Sequence, residues 1–407
     1  MQATRSQWWN ILAGAVCLTV WLLALIYAHT MHPQVADEAV HIPQIQDFLA
    51  GHFTASAGLA MLPGYHLLVA GLMKVLTLHS ITSMRVISAV FGLASSVFFL
   101  GIRRSLGDAS AFIYSSQFFF FPLLFPYYFL VYTDILSLAL ILAAMLLALK
   151  QRHVIAALIL VASIGVRQNN VIWAAFLPLF FLWPSIDKQS FQQIALSKST
   201  WRTLLPYALP IGAFFGYWAW HGSISASSKV AYENPELSFH PGNVYFFLFL
   251  FLVLFPFQAW TGARKVFSTV RTKPWLAFVL IGAAASIKLR GSPDNYAFAD
   301  YFLRNAVIAF VHGGWARYAF GILVVLGFCS IAFTRFLLPQ SWLLYPVCAF
   351  YLCSYWLIEN RYTMIPFALW MALRQVDNDA AERWTMAGWF ILSQVFVWGI
   401  LSHRFML

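Results

Sequence analysis

Charge is what this chain has least of: 10% of its 407 residues are charged, and 14 of them are acidic. So few ionic groups cannot solvate the surface of a soluble globule of this length. The complement, 61% hydrophobic residues with 17 Trp and 39 Phe, exceeds what one aqueous core buries. Cysteine is also sparse. Cys17, Cys329, Cys348 and Cys353 lie in or beside apolar runs without a C-x-x-C pair, which excludes a disulfide scaffold or a zinc ribbon. No P-loop and no G-x-G-x-x-G occurs, so the usual backbone cradles for a nucleotide are missing, and no H-E-x-x-H points to a metal. An internal repeat, a low-complexity segment and a long linker are absent too, which favours one membrane domain over 1–407. The formal charge of +11 comes from Lys and Arg clustered between apolar runs, a pattern of membrane orientation and not of nucleic-acid binding.

What is present is a series of apolar runs with a mean hydropathy of +0.74. At roughly 20 residues per crossing, about eleven to thirteen spans are expected in an all-α polytopic membrane protein. The clearer runs are 11–28, 86–102, 110–126, 131–149, 203–221, 244–260, 275–288, 318–334, 339–357 and 386–402, with shorter ones at 153–166, 171–183 and 362–373. Arg5 ahead of the first run makes it an uncleaved anchor with its N-terminal side inside. Arg103-Arg104, Lys150/Arg152, Lys188/Lys198/Arg202, Arg264/Lys265/Arg271/Lys273 and Arg374/Arg383 mark the cytoplasmic side. Residues 29–73 contain no Lys or Arg and face outward. The run 62–78 should then not cross: it opens on Leu62-Pro63-Gly64 and continues amphipathically, as an interfacial helix within a large structured outer loop over 29–84. The same count puts Tyr132-Thr133-Asp134, Arg167-Gln168-Asn169-Asn170, 222–243, 288–304 and Glu359-Asn360-Arg361-Tyr362 on the outer side.

Adjacent carboxylates at a membrane surface are costly to keep. Asp37 and Glu38 are therefore the catalytic candidates, one of them as a general base toward a hydroxyl; the structural alternative is a cap on the helix that follows, with Glu38 the better cap. His41 is one helical turn on and can hydrogen-bond to the pair. Arg85 enters the membrane from the outer side, suited either to a phosphate or to snorkelling at a helix end. Arg167-Gln168-Asn169-Asn170 lines a site or forms a polar turn between helices. Asp134 binds a sugar hydroxyl or caps a helix. Lys288, Arg290 and Arg304 lie on the outer side against the charge trend and are candidate anion ligands. Asp377-Asn378-Asp379 matches D-x-D but sits in a cytoplasmic loop, where a solvated turn is expected.

Several patches together resemble the dolichyl-phosphate-glucose-dependent alpha-1,2-glucosyltransferases, membrane enzymes of the GT-C superfamily. Asp37-Glu38 with His41, Pro43, Gln44, Gln46 and Gly51-His52-Phe53 is similar to that family's opening signature, followed by Leu62-Pro63-Gly64-Tyr65. Phe129 to Asp134, Arg167-Gln168-Asn169-Asn170-Val171-Ile172-Trp173 and Glu359-Asn360-Arg361-Tyr362 with Pro366 resemble three later segments. Ala231 to Pro235 and Pro293 to Phe298 depart from the family's pattern.

The resemblance implies an inverting transferase that takes a hexose, glucose foremost, from a polyprenyl or dolichyl phosphate. The acceptor is a lipid-linked glycan or another acceptor on the extracytoplasmic face. Asp37 or Glu38 is the base, and no nucleotide, metal or other cofactor is expected. Arg85, Arg167, Arg361, Arg290 and Lys288 are the expected phosphate ligands. His41, Gln44, Asp134, Gln168, Asn169, Glu359 and Tyr362 are the expected sugar and acceptor contacts. Membrane lipids are the surrounding partners. The alternative is a flippase for the same lipid-linked sugar, built on the same polar cavity.

Overall fold

The computed structural model describes residues 2–30, 34–186, 190–227, 239–289, 294–376 and 378–407. The chain is 76% helical, and the only sheet-like pairing among the described residues is two isolated bridges, Phe302 with Met406 and Phe336 with Arg374. In hydrocarbon every backbone N–H and C=O must be satisfied locally, which helices alone do within one segment. The chain is an all-α, multi-pass membrane protein.

One compact unit comprises Met1–Glu236 with Leu338–Val347. It holds α1 (Gln2–Thr30), α2 (Glu38–Leu49), α3 (Gly64–Val75), α4 (Ile81–Ser105), α5 (Ala111–Phe119), α6 (Thr133–Leu149), α7 (His153–Val166), α8 (Val171–Ile186), α9 (Phe191–Leu196), α10 (Lys198–Leu204) and α11 (Ala208–His221). The Ser80 side chain caps α4 by accepting from Ser83 N, and Arg103 and Arg104 complement the dipole in its last turn. α2 and α3 pack through Ile42, Ile45, Phe48, Val69 and Met73 onto Met84 and Ile87 of α4 and Leu136 of α6. That apolar contact seats α2 and α3 on α4 and α6. Gly64 is required where α3 begins, because a Cβ there would collide with the carbonyl of Gly165 in α7.

The other unit comprises Leu237–Leu337 with Cys348–Leu407. It contains α12 (Gly242–Leu254), α13 (Pro256–Thr272), α14 (Trp275–Ser286), α15 (Asp294–Ala297), α16 (Leu303–His312), α17 (Ala316–Ala332), α19 (Met364–Leu373) and α20 (Asp379–Leu401); α18 (Leu344–Cys353) begins in the 338–347 segment. α17 packs on α12, α13 and α14. A Cβ at Gly321 would meet the Ala284 carbonyl of α14, the close backbone approach that small residues give membrane helices. A buried Arg374–Glu382 pair, 2.7 and 2.6 Å, ties the end of α19 to α20.

Among the described residues, four helical segments are long and apolar enough to cross a membrane: Ala13–Thr30, Ile81–Ser105, Gln168–Ile186 and Asp379–Leu401. α3, expected to lie in the interface, is not among them and is only 12 residues long. The run 244–260, expected as one span, is broken by 106° between α12 and α13, where Pro256 lacks the N–H that would continue the helix. α16 and α17 are likewise bent by 111°. The runs at 131–149, 153–166 and 275–288 form helices of 17, 14 and 12 residues. The expected turn at 377–379 is a helix start: Asn378 accepts from Ala380 N and Ala381 N to cap α20, while Asp377 lies outside the described residues.

Candidate functional site

The two adjacent carboxylates have different environments. Glu38 is fully buried and receives four hydrogen bonds: Arg85 Nε at 3.0 Å, Arg85 Nη2 at 2.6 Å, Val131 N at 2.9 Å and Val35 N at 3.0 Å. Arg85, itself buried, spends a further N–H on the Ala28 carbonyl at 3.0 Å. This fork-to-fork pair joins α2 to α4 and leaves neither charge uncompensated. Asp37, one residue earlier, is partly exposed. It occupies the position before α2, yet its side chain makes no capping bond. Neither carboxylate therefore plays the capping role that the sequence left open.

The backbone at Asp37 is clamped. Tyr132 Oη accepts from Asp37 N at 2.9 Å and donates to the Val35 carbonyl at 3.3 Å. Between those two contacts Ala36 has φ of 47°, a left-handed conformation that costs a non-glycine residue roughly 1 kcal/mol or more. The Tyr132 hydroxyl and the Glu38 carboxylate hold Val35 on either side of that strained turn. Tyr132 was legible as part of an outer polar cluster, but its grip on Asp37 was not, since 95 residues separate the two.

Behind this turn, His41 Nδ1 and His66 Nε2 lie 3.0 Å apart, both buried. One ring must donate and the other accept, so at least one of the two is neutral. Burial pushes His66 down to about 4. The His41 ring also meets Tyr65 and Tyr132 edge-on, and Tyr65 Oη bonds to Ser88 Oγ at 2.9 Å.

The two polar clusters expected near the outer boundary do meet. Arg167 Nη2 donates to Asp134 Oδ2 at 2.9 Å and its Nε to Thr133 Oγ1 at 3.0 Å. Gln168 acts as a backbone staple: its Nε2 donates to the carbonyls of Ala60 and Ile224, and its Oε1 accepts from Leu62 N. Gln44 does the same between α2 and α3, donating to Thr54 O and accepting from Ser56 N. Asn170 is buried against Ser137 and Ser163. Asn169 alone of this quartet is partly exposed.

The remaining candidates belong to the second unit. Glu359 is buried and receives Arg304 Nη2 at 2.8 Å and Arg361 Nε, while its backbone N–H bonds to Asn243 Oδ1 at 3.0 Å. Asn295 pairs with both backbone groups of Ile358. Tyr362 stacks on Tyr355, ring centroids 3.6 Å apart. Arg304 also donates through Nη1 to Leu407 O at 2.9 Å. Lys288 is exposed and lines a cavity of 340 Å³ with Leu289, His312 and Arg317. Arg290 lies outside the described residues. Among the described residues no three His, Cys, Asp or Glu side chains are gathered in a way that could hold a metal ion.

Comparison with known proteins bears out the family resemblance seen in the sequence. Residues 31–193, which contain Asp37, Glu38, Arg85, Asp134 and Arg167, match the model of the DIE2/ALG10 family. The Drosophila melanogaster protein named Dol-P-Glc:Glc(2)Man(9)GlcNAc(2)-PP-Dol alpha-1,2-glucosyltransferase is 25% identical over 402 residues, covering 89% of this chain and 88% of its own. The Mus musculus protein of the same name is 24% identical over 366 residues, 72% and 77% of the two chains. The Arabidopsis thaliana one is 31% identical over 189 residues, 40% and 37%. No solved structure matches this chain.

Proposed function

We propose that this chain, similar to those dolichyl-phosphate-glucose-dependent enzymes, is an inverting membrane glucosyltransferase. In this reading it moves glucose from a polyprenyl or dolichyl phosphate to a hydroxyl of a lipid-linked glycan, on the extracytoplasmic face. Asp37 is the general base. It takes the proton of the acceptor hydroxyl as that oxygen bonds to the anomeric carbon. The bond from that carbon to the phosphate oxygen breaks, and the lipid phosphate leaves with the electron pair. A single displacement of this kind inverts the configuration.

The observation that carries the assignment is the contrast within Asp37-Glu38. Glu38 is closed off by Arg85 and two backbone N–H groups, so it has no lone pair to offer an acceptor; Asp37 is partly exposed and its backbone is fixed by Tyr132. A base held in place by packing and hydrogen bonds meets its substrate without reorganising. Arg85 and Arg167, each engaged by a carboxylate, are positioning residues here: Arg85 orients the turn that presents Asp37, and Arg167 keeps Asp134 beside the stapled outer segment. Gln168 and Gln44 shape that segment through backbone contacts. Asn169, partly exposed, is the member of its cluster suited to a sugar hydroxyl. Phosphate already leaves readily, and the charge that develops on it calls for cationic donors.

The test is transfer from radiolabelled polyprenyl-phosphate glucose to a lipid-linked glycan extract by purified protein, with the anomeric configuration of the product read by NMR. Transfer with inversion by wild type and its loss in Asp37→Asn support the reading. Retention of configuration overturns the single displacement, and donor binding without transfer by wild type returns the weight to a flippase.

A further inference from the structure

Beyond Leu254 the chain turns by 106° from α12 into α13. α12 carries no charged residue, whereas 256–273 holds Arg264, Lys265, Arg271 and Lys273 and no acid. So many cations cannot follow α12 through hydrocarbon, and a turn of this size lays α13 along the membrane surface. The inner face of α13 is fixed. Ala259 and Gly262 are buried, Ser330 Oγ of α17 donates to the Ala259 carbonyl at 3.1 Å, and a Cβ at Gly262 would collide with Ser330. Phe257, Trp260, Arg264, Phe267 and Arg271 recur at intervals of three and four, so they form one stripe away from that inner face. The three aromatic residues are 42%, 60% and 72% exposed, and both arginines are exposed. The Arg264 guanidinium lies over the Trp260 ring, 5.1 Å from its centroid. Neither arginine takes part in an ion pair among the described residues; Glu382, which meets Gln258 of α13, is paired with Arg374.

We propose that the exposed stripe of α13 binds the headgroups of anionic phospholipids in the leaflet along which the helix lies. Aromatic rings alternating with guanidinium groups suit that boundary: the rings enter the edge of the acyl layer, and each planar fork takes two phosphate oxygens. Charge sets the preference. A zwitterionic lipid offers its phosphate with a cation of its own beside it, whereas an anionic lipid leaves the phosphate charge for Arg264 and Arg271 to neutralise. The stripe thus anchors the second unit at its α12–α13 bend. Selection is by headgroup charge, so the anchor is independent of the transferase reading.

The probes are dioleoyl phosphatidylglycerol and dioleoyl phosphatidylcholine, which share their acyl chains and differ in headgroup charge. Both are added at equal concentration to the purified full-length protein in non-ionic detergent, and retained lipid is read by native mass spectrometry. Wild type should retain phosphatidylglycerol at least fivefold over phosphatidylcholine. Arg264→Gln/Arg271→Gln, which alters exposed side chains only, should reduce that ratio at least threefold with the melting curve unchanged. Lys198→Gln/Arg202→Gln on α10 removes the same charge from another exposed position and should keep the wild-type ratio. Trp260→Ser/Phe267→Ser keeps every cation and should lower retention of phosphatidylglycerol at least threefold. A wild-type ratio in the Arg264/Arg271 variant overturns the proposal. An equal fall in the α10 variant also overturns it, by making the preference one of net charge alone. Displacement of phosphatidylglycerol by an equal concentration of glycerol 3-phosphate does so too, because the surface would then be a site for free phosphate and not for a lipid.

Discussion

At the scale of single residues, Glu38 and Asp37 separate structure from chemistry. Glu38 and Arg85 form a buried pair, and removing one partner strands the other; Glu38→Leu or Arg85→Leu should each cost ~3–5 kcal/mol, seen as a collapse of the melting curve in detergent. Asp37→Asn should leave the melting curve in place and act on turnover alone. His66 gives a pH dependence with a defined sign. The unfolded chain takes up a proton at its histidine near pH 6.5, whereas burial holds the folded one down to about 4. Between those values the unfolded state binds more protons, so stability is intact above pH 6.5 and falls as pH is lowered toward 4. Thermal melts from pH 7.5 to 4.5 should show this decline, and His66→Gln should flatten it; an unchanged slope in that variant would place the proton uptake elsewhere. The identity of the candidate residues was readable in the sequence, because carboxylates and arginines beside apolar runs are costly and stand out. Their partners were not: 47 residues separate Glu38 from Arg85 and 108 separate Gln168 from Ala60, and no local pattern encodes such pairings.

At the scale of elements, the segment that carries α2 and α3 is seated by one glycine and several staples. Gly64→Ala should push the start of α3 away from the Gly165 carbonyl and displace His66 from His41. Transfer should fall at least tenfold with only a small change in donor binding, and wild-type kinetics in that variant would contradict the close approach. The short α3 and its start at Gly64 were legible from Leu62-Pro63-Gly64. The breaks were less so: apolar runs at 244–260 and 318–334 read as uninterrupted, yet Pro256 ends one helix, and the other continues backward through a bend into α16. Hydropathy senses only the mean along a window, and a bend leaves that mean unchanged. The start of α4 is set by Ser80 and that of α20 by Asn378, each a residue with a side-chain oxygen at the N-cap.

At the scale of the whole molecule, scarcity of charge dictated helices in a membrane, and the asymmetric placement of Lys and Arg is the basis for expecting the site to face outward. The resemblance to the fly protein runs along most of both chains, while the family model covers 31–193, the stretch that holds Asp37 and its clamp. The division into two units was not visible in the sequence, where no long polar linker sets one off from the other. What the account claims of the molecule as a whole is that it transfers glucose with Asp37 as its base. The most direct measurement is single-turnover transfer from radiolabelled polyprenyl-phosphate glucose by wild type and Asp37→Asn at matched donor occupancy. Loss of a general base predicts a rate reduced by ~10²–10⁴-fold in Asp37→Asn with folding and donor binding unchanged; a rate within a few-fold of wild type would contradict it.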